Sequence, residues 1–136
     1  MNVDVAMDRL RAAIDKRGTG AYVITVSDDA RPHAVYLDLV WEDGRLVAEG
    51  IGATTAANAT ARPNISLLFP VKADADYTLF VDGPAVVESR EGARRLVVTP
   101  VRAVFHRPGP PSDPASSCSS DCMPILQAPA PIVRLR

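Results

Sequence analysis

The apolar and polar positions along the chain follow two rhythms. Over residues 3–17, Val3, Met7, Leu10 and Ile14 recur at helical spacing with Ala6 and Ala13 beside them, which predicts an amphipathic helix. Gly18 and Gly20 follow and mark its end. The ordinary use of such a helix is a lid on a sheet. From Ala21 the period falls to two. Residues 21–27 (AYVITVS) are rich in β-branched and aromatic side chains and predict a strand. Asp28, Asp29 and Ala30 turn the chain, and Pro32 opens a second strand, where a missing N–H is tolerated. That strand alternates through residues 33–41, with Val35, Leu37, Leu39 and Trp41 on one face and Ala34, Tyr36, Asp38 and Val40 on the other. Glu42-Asp43-Gly44-Arg45 forms a hairpin turn, because Asp-Gly accepts the positive φ such turns need. Residues 46–50 return as the third strand.

The alternation then stops. Residues 52–62 (GATTAANATAR) are small, polar and alanine-rich, and predict a short helix capped by Thr54 or Thr55. Pro63 ends it. Residues 64–69 are a fourth strand, 71–76 a loop, and 77–81 a fifth strand that continues over 85–88 beyond a bulge or kink expected at Asp82-Gly83-Pro84. After a turn at 89–93, residues 94–105 are a sixth strand, in which Pro100 predicts an edge position or a bulge. The chain is therefore mainly β, with six strands and one or two short helices. Hairpin-length connections make the sheet antiparallel. Closing it into a barrel would remove its exposed edges, with a sandwich as the other possibility.

Composition adds a boundary. The 136 residues suit one domain, and more than half of the 12 prolines lie from Pro108 onward. Residues 1–107 are expected to form the folded body and 108–136 a Pro/Ser-rich tail, extended or disordered in its first part. Ile125, Leu126, Ile132, Val133 and Leu135 restore apolar character, so the end of the tail is expected to dock on the body or on a partner subunit. A net charge of −1 exerts no bulk pull on nucleic acid or anionic membrane. The N-terminal stretch lacks a signal-peptide pattern and no apolar run reaches a membrane span, so a cytoplasmic protein is the default expectation.

The order of these segments carries a resemblance. Arg31-Pro32-His33 enters the second strand, Asn58 and Arg62-Pro63-Asn64 precede the fourth, and Val81-Asp82-Gly83-Pro84-Ala85 lies within the fifth. In this order and spacing, residues 5–107 resemble the pyridoxamine 5′-phosphate oxidase-like family of flavin-binding split barrels. The resemblance implies a six-stranded antiparallel split β-barrel that acts as a homodimer. It implies FMN, or the larger deazaflavin coenzyme of actinobacterial relatives, in a groove at the dimer interface. The second strand, through His33, Ala34, Val35 and Tyr36, would run along the ring. The polar turn, through Thr54, Thr55, Asn58 and Arg62, would hold the phosphate. A helix start with hydroxyls and unpaired N–H groups is physically suited to that task. Many relatives place a Ser/Thr-Arg-Lys stretch in this turn, whereas this chain reads Thr55, Ala56, Ala57. A phosphate there would lack a charge-assisted partner unless Arg31, Arg62 or an arginine of a second subunit supplied one.

Two functions follow. One is a flavin-dependent oxidoreductase on a small-molecule substrate, in which the flavin carries the chemistry and no side chain is assigned as catalytic. The other is a non-enzymatic binder or sensor of deazaflavin coenzyme, heme or another flat ligand on the same fold. His33 and His106, the only histidines, are too isolated to name a metal site. Tyr36 and Trp41 are suited either to stacking on a flat ligand or to packing. Cys118 and Cys122, spaced C-x3-C, are read as free thiols first and as a redox pair or, with His106 and Asp121, a metal site second.

Overall fold

The computed structural model describes residues 3–73, 76–110, 113–115 and 120–128. Helix α1 (Val3–Arg17) ends at Gly18, whose φ of 99° lets its N–H close on the Ile14 carbonyl. Its apolar stripe is buried through Ala6, Leu10 and Ile14. Complete burial of a Leu or Ile side chain contributes about 2 kcal/mol.

The strands are β1 (Gly20–Val26), β2 (Pro32–Asp38), β3 (Val40–Glu42), β4 (Arg45–Glu49), β5 (Asn64–Phe69), β6 (Thr78–Arg90), β7 (Ala93–Val98), β8 (Arg102–Arg107) and β9 (Asp121–Gln127), with α2 (Ala53–Ala61) between β4 and β5. All pairings are antiparallel. The path runs β2-β1-β5-β6-β7-β4-β3, and β8 pairs with β6 and β9. Strand β6 belongs to two sheets. Its first half lies between β5 and β8, and residues 85–90 pair with β7. The two-residue turns at Asp43-Gly44 and Glu91-Gly92 have positive φ at both positions, which matches the twist of the flanking strands.

The fold differs from the six expected strands in three places. The second strand divides at Leu39, which is fully buried and donates its N–H to the Thr19 carbonyl. The sixth divides at residues 99–101, so Pro100 sits at a corner and not at an edge or bulge within one strand. The Thr99 N–H bonds the Pro84 carbonyl and the Val101 N–H bonds the Asp82 carbonyl, holding this corner against the middle of β6, which runs unbroken through Asp82-Gly83-Pro84. Third, β9 extends the sheet beside β8, and α1 packs on it. Its Ile125 and Leu126 are 2% exposed and join the core with Leu10, Leu67, Phe69 and Leu96. The stretch after residue 107 thus contributes a strand to the body. The sheet is also open: among the described residues, β2 and β3 end the hydrogen-bonded path without pairing to each other.

At the base of β9, the buried Asp121 carboxylate accepts from the Tyr77 hydroxyl and from Arg107 Nε, both at 2.7 Å. The Arg107 guanidinium also stacks 4.3 Å from the Tyr77 ring centre. Cys122 is half-buried opposite His106 in the β8–β9 register. Cys118 lies outside the described residues, and the C-x3-C pairing with it. Among the described residues no helix is long and apolar enough to cross a membrane.

Candidate functional site

Among the described residues, strand β2 is an edge strand that pairs only with β1. Its other edge therefore offers backbone N–H and C=O groups without ladder partners. Side chains alternate along it: His33, Val35 and Leu37 are half-buried, while Ala34, Tyr36 and Asp38 face outward and are exposed. The half-buried side faces the start of α2. Between them lies a crevice of about 270 Å³ lined by His33, Val35, Leu37 and residues 52–55. A second hollow of about 320 Å³ shares His33 and Thr54 and extends to Ser27, Asp29 and Arg31 in the β1–β2 turn. Together they form one open groove with an apolar strand on one side and a helix start at its middle.

The helix start is chemically exposed. The N-cap is Gly52, in extended conformation and with no side-chain cap, and not Thr54 or Thr55 as the sequence suggests. Both threonines lie in the first helical turn. The first intrahelical bond runs from the Ala56 N–H to the Gly52 carbonyl, so the amides of Ala53, Thr54 and Thr55 precede the helical ladder. These are the N–H groups that a helix presents to an anion. A Cβ built at Gly52 would meet nothing, so the cradle is open there. Nothing in the first turn is acidic.

Other polar residues of the segment point elsewhere. The Asn58 amide donates to Thr25 Oγ1 at 3.1 Å, and both residues are buried. Arg62 donates to the Val26 carbonyl at 2.6 Å and to Asp28 Oδ1 at 2.8 Å. These contacts fasten α2 to the end of β1 and explain why the short helix holds its position.

Arg31 reaches the groove from the β1–β2 turn but pairs with Asp29 at 2.7 Å. Ser27 Oγ donates to Asp29 as well, at 2.5 Å. Those two bonds, Ser27 first and Arg31 second, hold the Asp29 carboxyl below its ordinary range. The folded chain thus favours the ionised form. The turn's contribution is full above the unfolded value, about 4, and is lost as pH falls through the lower folded value. Asp29→Asn is expected to lose less of its denaturation midpoint between pH 6 and pH 3 than the parent, by urea titration. An equal loss in both proteins would refute this linkage.

With the geometry in place, the chain can be compared with known proteins. No family model matches it. An uncharacterized protein of Mycobacterium bovis is 35% identical over 133 residues, spanning 88% of this chain and 93% of its own length, and one of Mycobacterium tuberculosis matches to the same extent. A solved pyridoxamine 5′-phosphate oxidase-like protein from Listeria innocua superposes with a TM-score of 0.63 at 15% identity, over 73% of this chain and 96% of that one. The chain belongs to one family with the mycobacterial proteins, and its fold is the pyridoxamine 5′-phosphate oxidase-like split barrel. A solved structure named F420 reductase is also similar, with a TM-score of 0.55 at 14% identity over 67% of this chain and 93% of that one.

Of the eight residues singled out from the sequence, the split barrel brings His33, Val35, Thr54 and Thr55 to the groove. Ala34 and Tyr36 stand on the opposite face of β2. There Tyr36 meets Tyr22 edge-on, 5.2 Å between ring centres, and covers Gly20 so closely that a Cβ would collide with its ring. Asn58 and Arg62 are turned to β1 and the turn after it. Leu37, Gly52 and Ala53 line the groove without having been singled out. Leu37 was legible as the second same-face residue after His33, and Gly52 as a glycine immediately before a helix. Trp41 packs against the core, with no hydrogen-bond partner for its Nε1.

Proposed function

We propose that this split barrel binds a flavin-type cofactor, FMN in the first instance, in the groove between β2 and α2, and acts as an oxidoreductase on a small molecule. The observation that carries the reading is the uncapped start of α2 facing the half-buried side of an edge strand. The amides of residues 53–55 would hold the phosphate, and the Thr54 hydroxyl would add a donor. Free backbone groups on the open edge of β2 would meet the polar edge of a flat ring, while Val35 and Leu37 would exclude water from its face. When bound, such a cofactor supplies hydride transfer; the chain's own part is to bind, orient and desolvate.

The groove is open on one side. A second copy of the chain would close it, and the exposed Tyr22, Tyr36, Val40 and Val86 on the outer sheet faces give that copy an apolar surface. The reading therefore includes a homodimer.

One observation favours deazaflavin coenzyme over FMN. Arg62 is engaged by Asp28 and Val26, and Arg31 by Asp29. Among the described residues, the seat at α2 thus offers dipoles and hydroxyls without a free cation of its own. A singly charged phosphodiester tolerates such a seat better than a dianionic phosphate. A non-enzymatic binder or sensor of that coenzyme would use the same contacts.

The test is titration of the protein, stripped of any bound cofactor, with FMN and with deazaflavin coenzyme, followed by absorbance and fluorescence quenching. Saturable binding of either is expected. Thr54→Trp, which fills the groove from an exposed position, should weaken it about tenfold or more. FMN preference supports the oxidoreductase, deazaflavin preference the second reading. No binding of either, or binding indifferent to Thr54→Trp, would overturn the site.

A further inference from the structure

A larger hollow lies on another part of the molecule. It occupies about 450 Å³ between the C-terminal half of α1, the segment after β5 and the end of β8, and shares no residue with the groove. Arg9 and Lys16, seven residues apart on one helical face, stand at its rim with the short side chains of Ala12 and Ala13 between them. Lys72 enters from the segment after β5, and Arg17 lies deeper. Among the described residues Asp76 is the one acidic residue of the lining. In a chain of net charge −1 this is a marked local excess of positive charge. Arg9, Lys16 and Lys72 form no ion pair with the described residues.

The floor has a different character. Tyr77 and Phe105 tilt together, 5.5 Å between ring centres. The Arg17 guanidinium is held 5.2 Å from the Phe105 ring centre by bonds to the Tyr77 carbonyl at 2.7 Å and the Ala13 carbonyl at 3.3 Å. Burial disfavours the Arg17 charge, and Asp76 offsets this only in part. An anion entering the hollow would supply the missing compensation, and a flat apolar body would cover the rings.

We infer that this hollow binds small aromatic anions, with the ring system on Tyr77 and Phe105 and the acid group among Arg9, Arg17, Lys16 and Lys72. The size suits a bicyclic or slightly larger molecule. Neither half of the lining suffices alone: the rings do not select charge, and exposed cations hold a simple anion weakly.

The experiment is calorimetric titration of the full chain with 2-naphthoate, with its neutral alcohol analogue 2-naphthylmethanol, and with inorganic phosphate. Naphthoate is expected to bind with the highest affinity, and the other two at least about tenfold more weakly. The double variant Lys16→Glu/Lys72→Glu, altered only at exposed positions, should weaken naphthoate about tenfold or more. Ala12→Trp, which fills the hollow from the helix surface, should do the same without changing any charge. Both variants should bind FMN or deazaflavin coenzyme as the parent does, which separates this site from the groove. Naphthoate affinity unchanged in both variants, phosphate binding as tight as naphthoate, or displacement of naphthoate by the cofactor would each overturn the inference.

Discussion

Gly83→Ala is expected to destabilise the protein by about 3–5 kcal/mol. Gly83 lies where β6 passes from one sheet to the other, and a Cβ there would fall inside the contact radius of the Thr99 carbonyl oxygen. Backbone cannot rotate aside as a flexible side chain does. Relief would require the middle of β6 and the 99–101 corner to separate, and the bonds from Thr99 to Pro84 (3.0 Å) and from Val101 to Asp82 (2.9 Å) join those same segments. Overpacking of this kind costs about 1–3 kcal/mol and each lost backbone bond about 1 kcal/mol more. Against a total of about 5–15 kcal/mol, that places the variant near the limit of folding. Gly52→Ala is the control. Gly52 has an ordinary φ of −75° and open space at its Cβ position, so alanine there should cost less than about 1 kcal/mol. Urea denaturation of both variants is the measurement. A parent midpoint kept by Gly83→Ala would show that the Thr99 carbonyl does not pack against Gly83 as closely as this corner requires.

The same corner shows what a sequence of this kind makes legible. The interruption expected at Asp82-Gly83-Pro84 is instead an unbroken stretch of β6, and it marks the place where that strand changes neighbours. Its partner at Pro100 was readable as a disturbance, but the exchange of sheets was not. Residues 94–105 carry strand-forming character on both sides of the proline, and side-chain pattern does not record which neighbour a backbone bonds. Leu39 hides a break in the same way, since the inward sequence Leu37, Leu39, Trp41 continues through it. The helix over residues 3–17 and the strand over 64–69 coincide with observed elements because each combines a strong period with a glycine or proline boundary.

The groove was legible in part for a related reason. A run of small polar residues breaking a β pattern between two strands is visible in one dimension, as is the alternation that places His33 and Val35 on one side. The partners of Asn58 and Arg62 are not. Thr25 and Val26 lie more than thirty residues earlier, and only the folded packing of α2 on β1 decides that these two polar side chains serve the scaffold. A strand at 121–127 was hidden by its own proline. Pro124 suits it because β9 is an edge, where a missing N–H leaves no ladder bond unmade.

That edge strand leads to the other large effect. Asp121→Ala is expected to reduce stability by about 2–3 kcal/mol and to loosen β9 before the rest of the sheet. The Asp121 side chain is 4% exposed, and its Oδ2 receives both the Tyr77 hydroxyl and Arg107 Nε. Removing the carboxylate leaves two donors without this acceptor in a partly buried place, and losing such a charge-assisted bond costs about 1.5–3 kcal/mol. The effect should be directional. Among the described residues, strand β9 is held on one side only, by β8, and covered by α1. Detaching it would expose Ile125 and Leu126 and remove part of the surface on which Leu10 and Ile14 are buried. Hydrogen exchange should therefore accelerate at the amides of residues 125 and 126 and in α1, while β1 and β5 stay protected. Asp121→Asn keeps an acceptor oxygen and should recover part of the loss. Uniform acceleration across all strands would show that β9 is no separate unit. Unchanged exchange at residues 125 and 126 would show that the Asp121 contacts do not hold it. If β9 opens alone, the hollow floored by Tyr77 and Phe105 should lose its shape with it, because Tyr77 is bonded to Asp121 and Phe105 pairs with Met123 of that strand.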